Sequence, residues 1–147
     1  ADEPTTGLDV TVQAQIFCLI KQVQERHRMA MLLITHDLGV VAELCERMVV
    51  MYAGHIMEIG KVERVFEKTY HPYTRMLLQS TLRADKKVEF RPPDPERVSI
   101  EETVYRLSSC RFAMRCPSVM ALCREKKPAI TEIEPGHQVM CHLYHSG

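Results

Sequence analysis

The spacing of apolar residues predicts a helix followed by a buried strand in the first third of the chain. In the segment VTVQAQIFCLIKQVQERH, apolar residues recur at helical spacing, and Asp9 or Thr11 is the expected N-cap. The stripe consists of Val12, Ile16, Leu19, Ile20 and Val23. The uninterrupted apolar run AMLLIT, residues 30–35, then predicts a strand that is buried on both faces.

A helix, a hairpin and two more helices are predicted in the next part of the chain. The first helix is expected to start at Asp37 and to end near Arg47. The segments MVVMY and HIMEIG predict a β-hairpin that turns at Ala53-Gly54 and closes the edge of the sheet at Gly60. KVERVFEKT predicts a short charged helix, and His71-Pro72 is expected to open another.

Composition divides the chain into three predicted regions. Residues 1–82 carry the periodic segments, residues 83–104 are rich in proline and charge and predict a linker, and residues 105–147 hold four of the cysteines. The last region has few residues for a core, so we expect an irregular extension that is organised by something other than hydrophobic burial.

Charge and hydropathy exclude several classes of function. The 19 basic and 19 acidic residues cancel, and neither part of the chain is strongly basic, so no nucleic-acid-binding face is expected. No apolar run is long enough to span a bilayer, and association with a membrane is expected only through a partner. The chain opens directly on an acidic motif without an initiator Met, which we interpret as a truncated sequence.

The opening motif ADEPTTGLD is the first candidate for chemistry. Asp2 and Glu3 are adjacent carboxylates that repel each other, an arrangement that suits a cation or a reacting water. An ordinary surface turn before a proline is the simpler interpretation. His36 follows the predicted strand at the end where α/β sheets bind ligands, although a lone His in this position is more often structural.

Together, DEPTTGLDVTVQAQI and LLITHDLGVVAELCERMVVMYAGHIMEIG resemble the end of an ABC-transporter ATPase domain, most closely that of oligopeptide/dipeptide importers. The resemblance covers residues 1–80 and implies an α/β P-loop NTPase fold that binds ATP and Mg²⁺. It also implies roles for four residues. Asp2 would hold Mg²⁺, Glu3 would be the general base, His36 the switch histidine, and Asp9 part of the loop that communicates between two ATPase subunits.

Several motifs of that family are not in this sequence. No G-x-x-x-x-G-K-[ST] phosphate loop is present, nor is an LSGGQ-type signature or a glutamine-bearing lid loop. The chain therefore holds half a catalytic site, and we do not expect it to hydrolyse ATP by itself.

The cysteines form two predicted classes. Cys18 and Cys45 lie among apolar helical positions and are expected to be small buried hydrophobic residues. Cys110, Cys116, Cys123 and Cys141 have the spacing C-x5-C-x6-C-x17-C, which allows an iron–sulfur cluster, a zinc ion, two disulfides or free thiols. Three histidines near these cysteines could replace one thiolate: His137, His142 and His145.

The wide spacing and the Cys116-Pro117 step favour a cluster over zinc, and a reducing cytosol disfavours disulfides. The resemblance points the same way, because some peptide-importer ATPases carry a [4Fe–4S] cluster in a C-terminal extension that CRFAMRCP resembles.

The leading hypothesis is therefore part of the ATP-hydrolysing subunit of a peptide importer at the cytoplasmic face of the membrane. Its expected partners are a second ATPase subunit, transmembrane permease subunits and, indirectly, a substrate-binding protein. The alternative is a soluble ABC ATPase with a metal cluster that acts on nucleic acid or ribosomes, which the neutral charge disfavours. A third hypothesis adds to the first one a redox-sensing or interaction role for residues 105–147, which would regulate the ATPase.

Overall fold

A computed structural model describes residues 1–82 and 104–145 of the chain. It divides into two compact units, Ala1–Glu46 and Arg47–Gly147. Within the described residues, helices and strands form a small α/β structure, and none of the helices is both long and apolar enough to cross a membrane. Of the predicted linker at residues 83–104, residues 83–103 lie outside the described part.

The first unit contains two capped helices. Helix α1 (Val10–His27) starts at Asp9, whose carboxylate accepts the backbone N–H groups of Thr11 and Val12. Helix α2 (Leu38–Leu44) starts at Asp37 in the same way. Both predicted helices are confirmed, with Asp9 rather than Thr11 as the first cap, because the Asp9 carboxylate satisfies two N–H groups that have no partner inside the helix. Helix α2 ends at Leu44, before the expected Arg47.

The strand predicted at residues 30–35 does not form. A single parallel bridge between Asp2 and Ile34 is the only ladder contact described for this segment. Leu32 is 77% exposed and Ile34 54% exposed, so the expected burial on both faces is also wrong. The apolar sequence predicted a buried strand because buried parallel strands are apolar throughout, but a strand needs neighbours, and within this unit only the short opening segment pairs with it.

The second unit is built on a four-stranded antiparallel sheet with the order β1-β2-β4-β3. The strands are β1 (Arg47–Tyr52), β2 (His55–Lys61), β3 (Thr131–Glu134) and β4 (His137–Val139). The predicted hairpin is confirmed: β1 and β2 pair across Ala53 and Gly54, whose φ angles of 47° and 77° fit a type I′ turn.

Short helices complete the second unit. They are α3 (Val62–Glu67), α4 (Pro72–Leu82), α5 (Ala121–Glu125) and a 3₁₀ turn, His142–Tyr144. The predicted short helix at residues 61–69 and the helix after His71 are confirmed. Pro72 fits the first position of α4 because its missing N–H would have no helical partner there.

We expected the sheet to end at Gly60, and this prediction is wrong. Strand β2 continues to Lys61, and β4 pairs with it through Glu58 and Ile59. The C-terminal region thus supplies two strands to the same sheet as the hairpin. The expectation of an irregular extension with little core is wrong for the described residues, because this region also buries Phe112, Ala113 and Val139.

The two cysteines outside the C-terminal region differ from expectation. Cys18 is exposed on α1, and Cys45, after α2, is only partly buried. Helix α1 buries Phe17 alone, so its apolar stripe is only partly covered within this unit, and Leu19 and Val23 are exposed. The sequence pattern gives the direction of an apolar face but not whether a neighbouring element covers it.

Candidate functional site

The structure brings Glu3 and His36 into direct contact across 33 positions of sequence. The Nδ1 atom of His36 lies 2.7 Å from Oε1 of Glu3, and the backbone N–H of His36 donates to the same oxygen at 3.1 Å. The second carboxylate oxygen, Oε2, accepts a hydrogen bond from the Thr6 hydroxyl at 3.2 Å. Both Glu3 oxygens are therefore hydrogen-bonded, and the carboxylate has a fixed orientation.

Backbone pairing of the opening segment with residues 32–34 produces this contact. The amino terminus of Ala1 donates to the Leu32 carbonyl at 2.9 Å, and the Glu3 N–H donates to the Ile34 carbonyl at 2.8 Å. Glu3 has a φ of 44°, which side-chain-bearing residues rarely adopt. Such strain persists where surrounding contacts impose it and is common at functional sites.

The contact shifts the acid–base properties of both groups. The hydrogen bond from His36, together with those from Thr6 and the His36 backbone, lowers the pKa of Glu3. The hydrogen bond to Glu3 and the negative charges of Glu3 and Asp37 raise the pKa of His36. A protonated His36 facing an ionised Glu3 is therefore the favoured state at lower pH.

Asp2 and Asp9, the other two acidic residues of the opening motif, have different structural roles from the Glu3–His36 pair. Asp2 is exposed, and its backbone forms the bridge to Ile34. The Asp9 carboxylate caps α1. The capping role that the sequence predicted for Asp9 is thus present, and it accounts for the side chain within this unit.

The four C-terminal thiols lie near one another. Burial raises the pKa of Cys110, and Cys123 and Cys116 raise it further. Burial likewise raises the pKa of Cys141 to about 11, with smaller effects from the other three cysteines. Cys110 and Cys123 lie in one buried cluster and Cys116 packs against it, while Cys141 packs beside Tyr70 and Val139 and interacts electrostatically with the other three thiols. We call these four residues the thiol cluster.

No thiol of the cluster is in a disulfide, and Cys110, Cys123 and Cys141 are buried. The predicted disulfide alternative is therefore absent from this structure. Among residues 1–82 and 104–145, no three or more His, Cys, Asp or Glu side chains are arranged to hold a metal ion. The residue types and their proximity suit a thiolate-bound group, but the side chains are not in ligand positions.

The histidines proposed as substitute ligands are engaged elsewhere. His145 Nε2 accepts the Ala129 N–H at 2.9 Å, so its Nδ1–H donates to the Thr131 hydroxyl. His142 Nε2 donates to the Lys126 carbonyl at 2.8 Å. His137 Nε2 lies 2.8 Å from the Glu58 carboxylate.

Sequence reasoning missed a buried carboxylate that organises the second unit. Glu58 on β2 is fully buried, and its two oxygens accept the backbone N–H groups of Tyr70 and His71 at 2.9 and 3.0 Å. His137 on β4 contacts the same carboxylate. A charged residue inside the apolar strand pattern HIMEIG was the available signal, because a buried Glu requires partners.

Comparisons with known proteins give these contacts a family context. The family model described as the oligopeptide/dipeptide transporter C-terminal region matches residues 57–123. A probable peptide ABC transporter ATP-binding protein of Sinorhizobium fredii is 48% identical over 96% of this chain and 42% of its own length. Dipeptide transport ATP-binding proteins of Bacillus subtilis and Escherichia coli are 44% and 41% identical, each over 97% of this chain and 42% or 43% of their own length.

The chain is thus related to the ATP-binding proteins of ABC transporters. Within that class, it is similar to the ATP-binding proteins of peptide and dipeptide transporters. It spans less than half the length of the curated relatives that it matches.

Proposed function

We propose that this chain is part of the ATP-hydrolysing subunit that drives ABC-type import of peptides across the cytoplasmic membrane. The observation that carries the proposal is the contact between Glu3 and His36, which joins two distant family motifs at one site. The relatives named for peptide and dipeptide transport support the same activity.

In this proposal Glu3 takes a proton from the water that attacks the γ-phosphate of ATP. His36 orients that carboxylate in the absence of nucleotide and contacts the γ-phosphate when ATP is bound. A base with a lowered pKa accepts a proton poorly, so the movement of His36 from Glu3 to the phosphate would also make Glu3 a stronger base. Asp2, an exposed carboxylate beside Glu3, suits Mg²⁺, which protein sites bind through one or two carboxylates and substrate phosphates.

The first prediction concerns turnover. In the complete subunit, Glu3→Gln should lower the rate of ATP hydrolysis by about 10²- to 10⁴-fold, the usual contribution of a positioned base. ATP binding should remain close to that of the unchanged protein, because the amide keeps the size of the carboxylate. The measurements are steady-state phosphate release and equilibrium binding of ATP.

A matched control is Glu25→Gln, which alters an exposed carboxylate on α1. This variant should hydrolyse ATP at the normal rate. Normal hydrolysis by Glu3→Gln would contradict the assignment of the base, and equal loss of binding and turnover would point to a structural role.

The proposed assembly contains a second ATPase subunit, transmembrane permease subunits and, indirectly, a substrate-binding protein. Asp9 is proposed to contribute to communication between the two ATPase subunits, in addition to capping α1. The subunit would then lie at the cytoplasmic face of the membrane. Co-purification of the complete subunit with a permease would support this assembly, and co-purification with ribosomal RNA would favour the soluble alternative.

We also propose that the thiol cluster holds a [4Fe–4S] cluster, with zinc as the alternative occupant. Four free thiols close together, three of them buried, support a thiolate-bound group at this position. Burial raises the pKa of the Cys110, Cys116 and Cys141 thiols, so these three remain protonated at neutral pH and metal binding would release protons.

The occupant is identified by anaerobic purification followed by iron, sulfide and zinc analysis. A brown protein with iron and sulfide in equal amounts supports the cluster. A colourless protein with stoichiometric zinc would identify zinc as the occupant. A protein that holds neither iron–sulfur cluster nor zinc after reconstitution would rule out both metal sites.

A further inference from the structure

Arg111 connects the thiol cluster to the tip of the β1–β2 hairpin. Its Nη1 atom donates a hydrogen bond to the carbonyl of Ala53 in the turn, and its Nη2 atom donates to the carbonyl of Tyr105 at 2.9 Å. The Arg111 side chain thus joins the turn to the start of the C-terminal region, and its backbone directly follows that of the buried Cys110.

The turn is shaped to receive this guanidinium group. Gly54 has a φ of 77°, and a Cβ atom at this position would lie only 3.3 Å from Nη1 of Arg111. The guanidinium also lies over the ring of Tyr105, 5.8 Å from its centroid. Both Nη atoms of Arg111 are used, which a lysine with a single nitrogen could not reproduce.

Phe112 reinforces the same junction from the buried side. It is 1% exposed, and its ring lies 5.4 Å from that of Tyr52 at the end of β1 and 5.3 Å from that of Tyr73 in α4. Cys110 and Cys123 belong to the same buried cluster as Phe112, and the N–H of Cys110 donates to the Cys123 carbonyl at 3.1 Å. The backbone that carries two of the thiols is therefore fixed against the hairpin and α4.

We propose that Arg111 is a positioning residue that holds the Cys110 thiol in the thiol cluster by fastening its backbone to the hairpin turn. Loss of this contact frees residues 110–113 from the turn and exposes Cys110. In the reverse direction, a group bound to the thiols fixes the turn. The part that concerns a bound group rests on the proposed metal site, whereas the position of the thiol does not.

The direct test measures the alkylation rate of Cys110 with N-ethylmaleimide in the metal-free protein, residue by residue, by mass spectrometry. Arg111→Lys should increase the Cys110 rate about tenfold or more, the factor that corresponds to loss of one charge-assisted hydrogen bond. The exposed Cys18 provides an internal reference whose rate should not change.

Arg124→Lys is the matched control, since Arg124 is exposed and directly follows Cys123 just as Arg111 follows Cys110. It should leave the Cys110 rate unchanged. Gly54→Asn supplies an independent variant, because Asn tolerates a positive φ while its side chain would meet the guanidinium. It should raise the Cys110 rate without altering Arg111 itself.

A second measurement uses Co²⁺, whose thiolate charge-transfer absorption reports thiolate ligands directly. If the wild-type protein binds Co²⁺, Arg111→Lys should bind it about tenfold more weakly than Arg124→Lys. Binding of Co²⁺ should slow hydrogen exchange at the Ala53-Gly54 turn in the wild-type protein but not in the Arg111→Lys variant.

The outcomes separate the two proposals. A wild-type protein that binds neither Co²⁺ nor an iron–sulfur cluster refutes the metal site, and the alkylation rates still decide the role of Arg111. Equal Cys110 rates in wild-type, Arg111→Lys and Gly54→Asn proteins would overturn the positioning role, whatever the thiols bind.

Discussion

At the scale of single residues, the contact between His36 and Glu3 determines the charge of the site. Because the raised pKa of His36 has the hydrogen bond to Glu3 as its largest cause, Glu3→Gln should return the pKa of His36 toward its ordinary value near 6.5. The ion pair exists while His36 is protonated and Glu3 is ionised, and this ion pair is lost as the pH rises through the pKa of His36. An NMR titration of the His36 ring measures this shift directly.

Asp37→Asn is the appropriate comparison for that titration. Asp37 makes a smaller contribution to the pKa of His36, and Asn retains the ability to cap α2. The pKa should therefore fall less than in Glu3→Gln. An unchanged titration of His36 in Glu3→Gln would mean that the contact does not persist in solution.

A single-residue change can also separate the two roles of Asp9. Asn is as good an N-cap as Asp, so Asp9→Asn should leave the helix content, measured by circular dichroism, unchanged. Asp9→Ala removes the cap and should lower the free energy of unfolding by about 0.5–2 kcal/mol. If Asp9 communicates between subunits, Asp9→Asn should still slow ATP hydrolysis in the assembled transporter. Normal hydrolysis with a stable helix would leave capping as its only role.

At the scale of elements, Glu58 fixes the start of α4 and strand β4 to strand β2. Its carboxylate accepts two backbone N–H groups and contacts His137, all inside the protein. Glu58→Gln replaces one oxygen with an NH₂ group that cannot accept these bonds, and breaking such a buried arrangement costs roughly 3–5 kcal/mol. Urea unfolding followed by tyrosine fluorescence should show this loss.

The control for this change is Glu63→Gln on α3, an exposed glutamate in the next element of the chain. Surface changes of this kind are usually within about 0.5 kcal/mol of the unchanged protein. If both variants unfold at the same urea concentration, Glu58 does not hold the elements together.

Other contacts fasten the last strands to the same part of the unit. The Tyr70 hydroxyl donates to Glu134 on β3, and Lys68 lies 2.5 Å from the same carboxylate. His71 accepts the Tyr73 N–H through Nδ1, which caps α4 from inside the second unit. The segment His71-Pro72-Tyr73 is therefore the junction of the hairpin, α4 and the C-terminal strands.

At the scale of the whole molecule, buried His71 makes stability depend on pH. Burial lowers the pKa of His71 to about 4, although the nearby Glu58 and a hydrogen bond to the Met140 backbone oppose this effect. Between pH 6.5 and 4 the unfolded chain therefore takes up a proton that the folded chain does not. The free energy of unfolding should fall across this window by on the order of 3 kcal/mol.

Urea unfolding at several pH values measures this slope. His71→Gln should be less stable at every pH because it loses a cap, but its free energy of unfolding should change less between pH 6.5 and 4. A slope equal to that of the unchanged protein would assign the pH dependence to other groups.

Local patterns predicted the elements whose stability is local. Asp9 and Asp37 cap the helices they precede, the hairpin turns at Ala53-Gly54, and α4 begins at Pro72, because capping and turn formation depend on a few adjacent residues. The pairing of β4 with β2 could not be predicted this way, since it joins segments about 80 residues apart and β4 is only three residues long.

The candidate site shows the same division. The family resemblance of the surrounding motifs implied a nucleotide site at Glu3 and His36, and the spacing of the four C-terminal cysteines allowed a metal site. Their actual contacts depend on backbone conformation, such as the positive φ of Glu3, which no side-chain pattern encodes.

The sequence by itself predicted the family resemblance, the capped helices, the hairpin and the candidate catalytic residues Glu3 and His36. Only the tertiary structure decided that residues 30–35 lack a strand's partners, that the C-terminal region joins the sheet, and that Glu58 and Arg111 fasten it there. The physical reason is that burial and strand pairing each require two segments. A sequence pattern shows the apolar face and the strand-forming residues of one segment, whereas the fold determines which other segment packs against it or pairs with it.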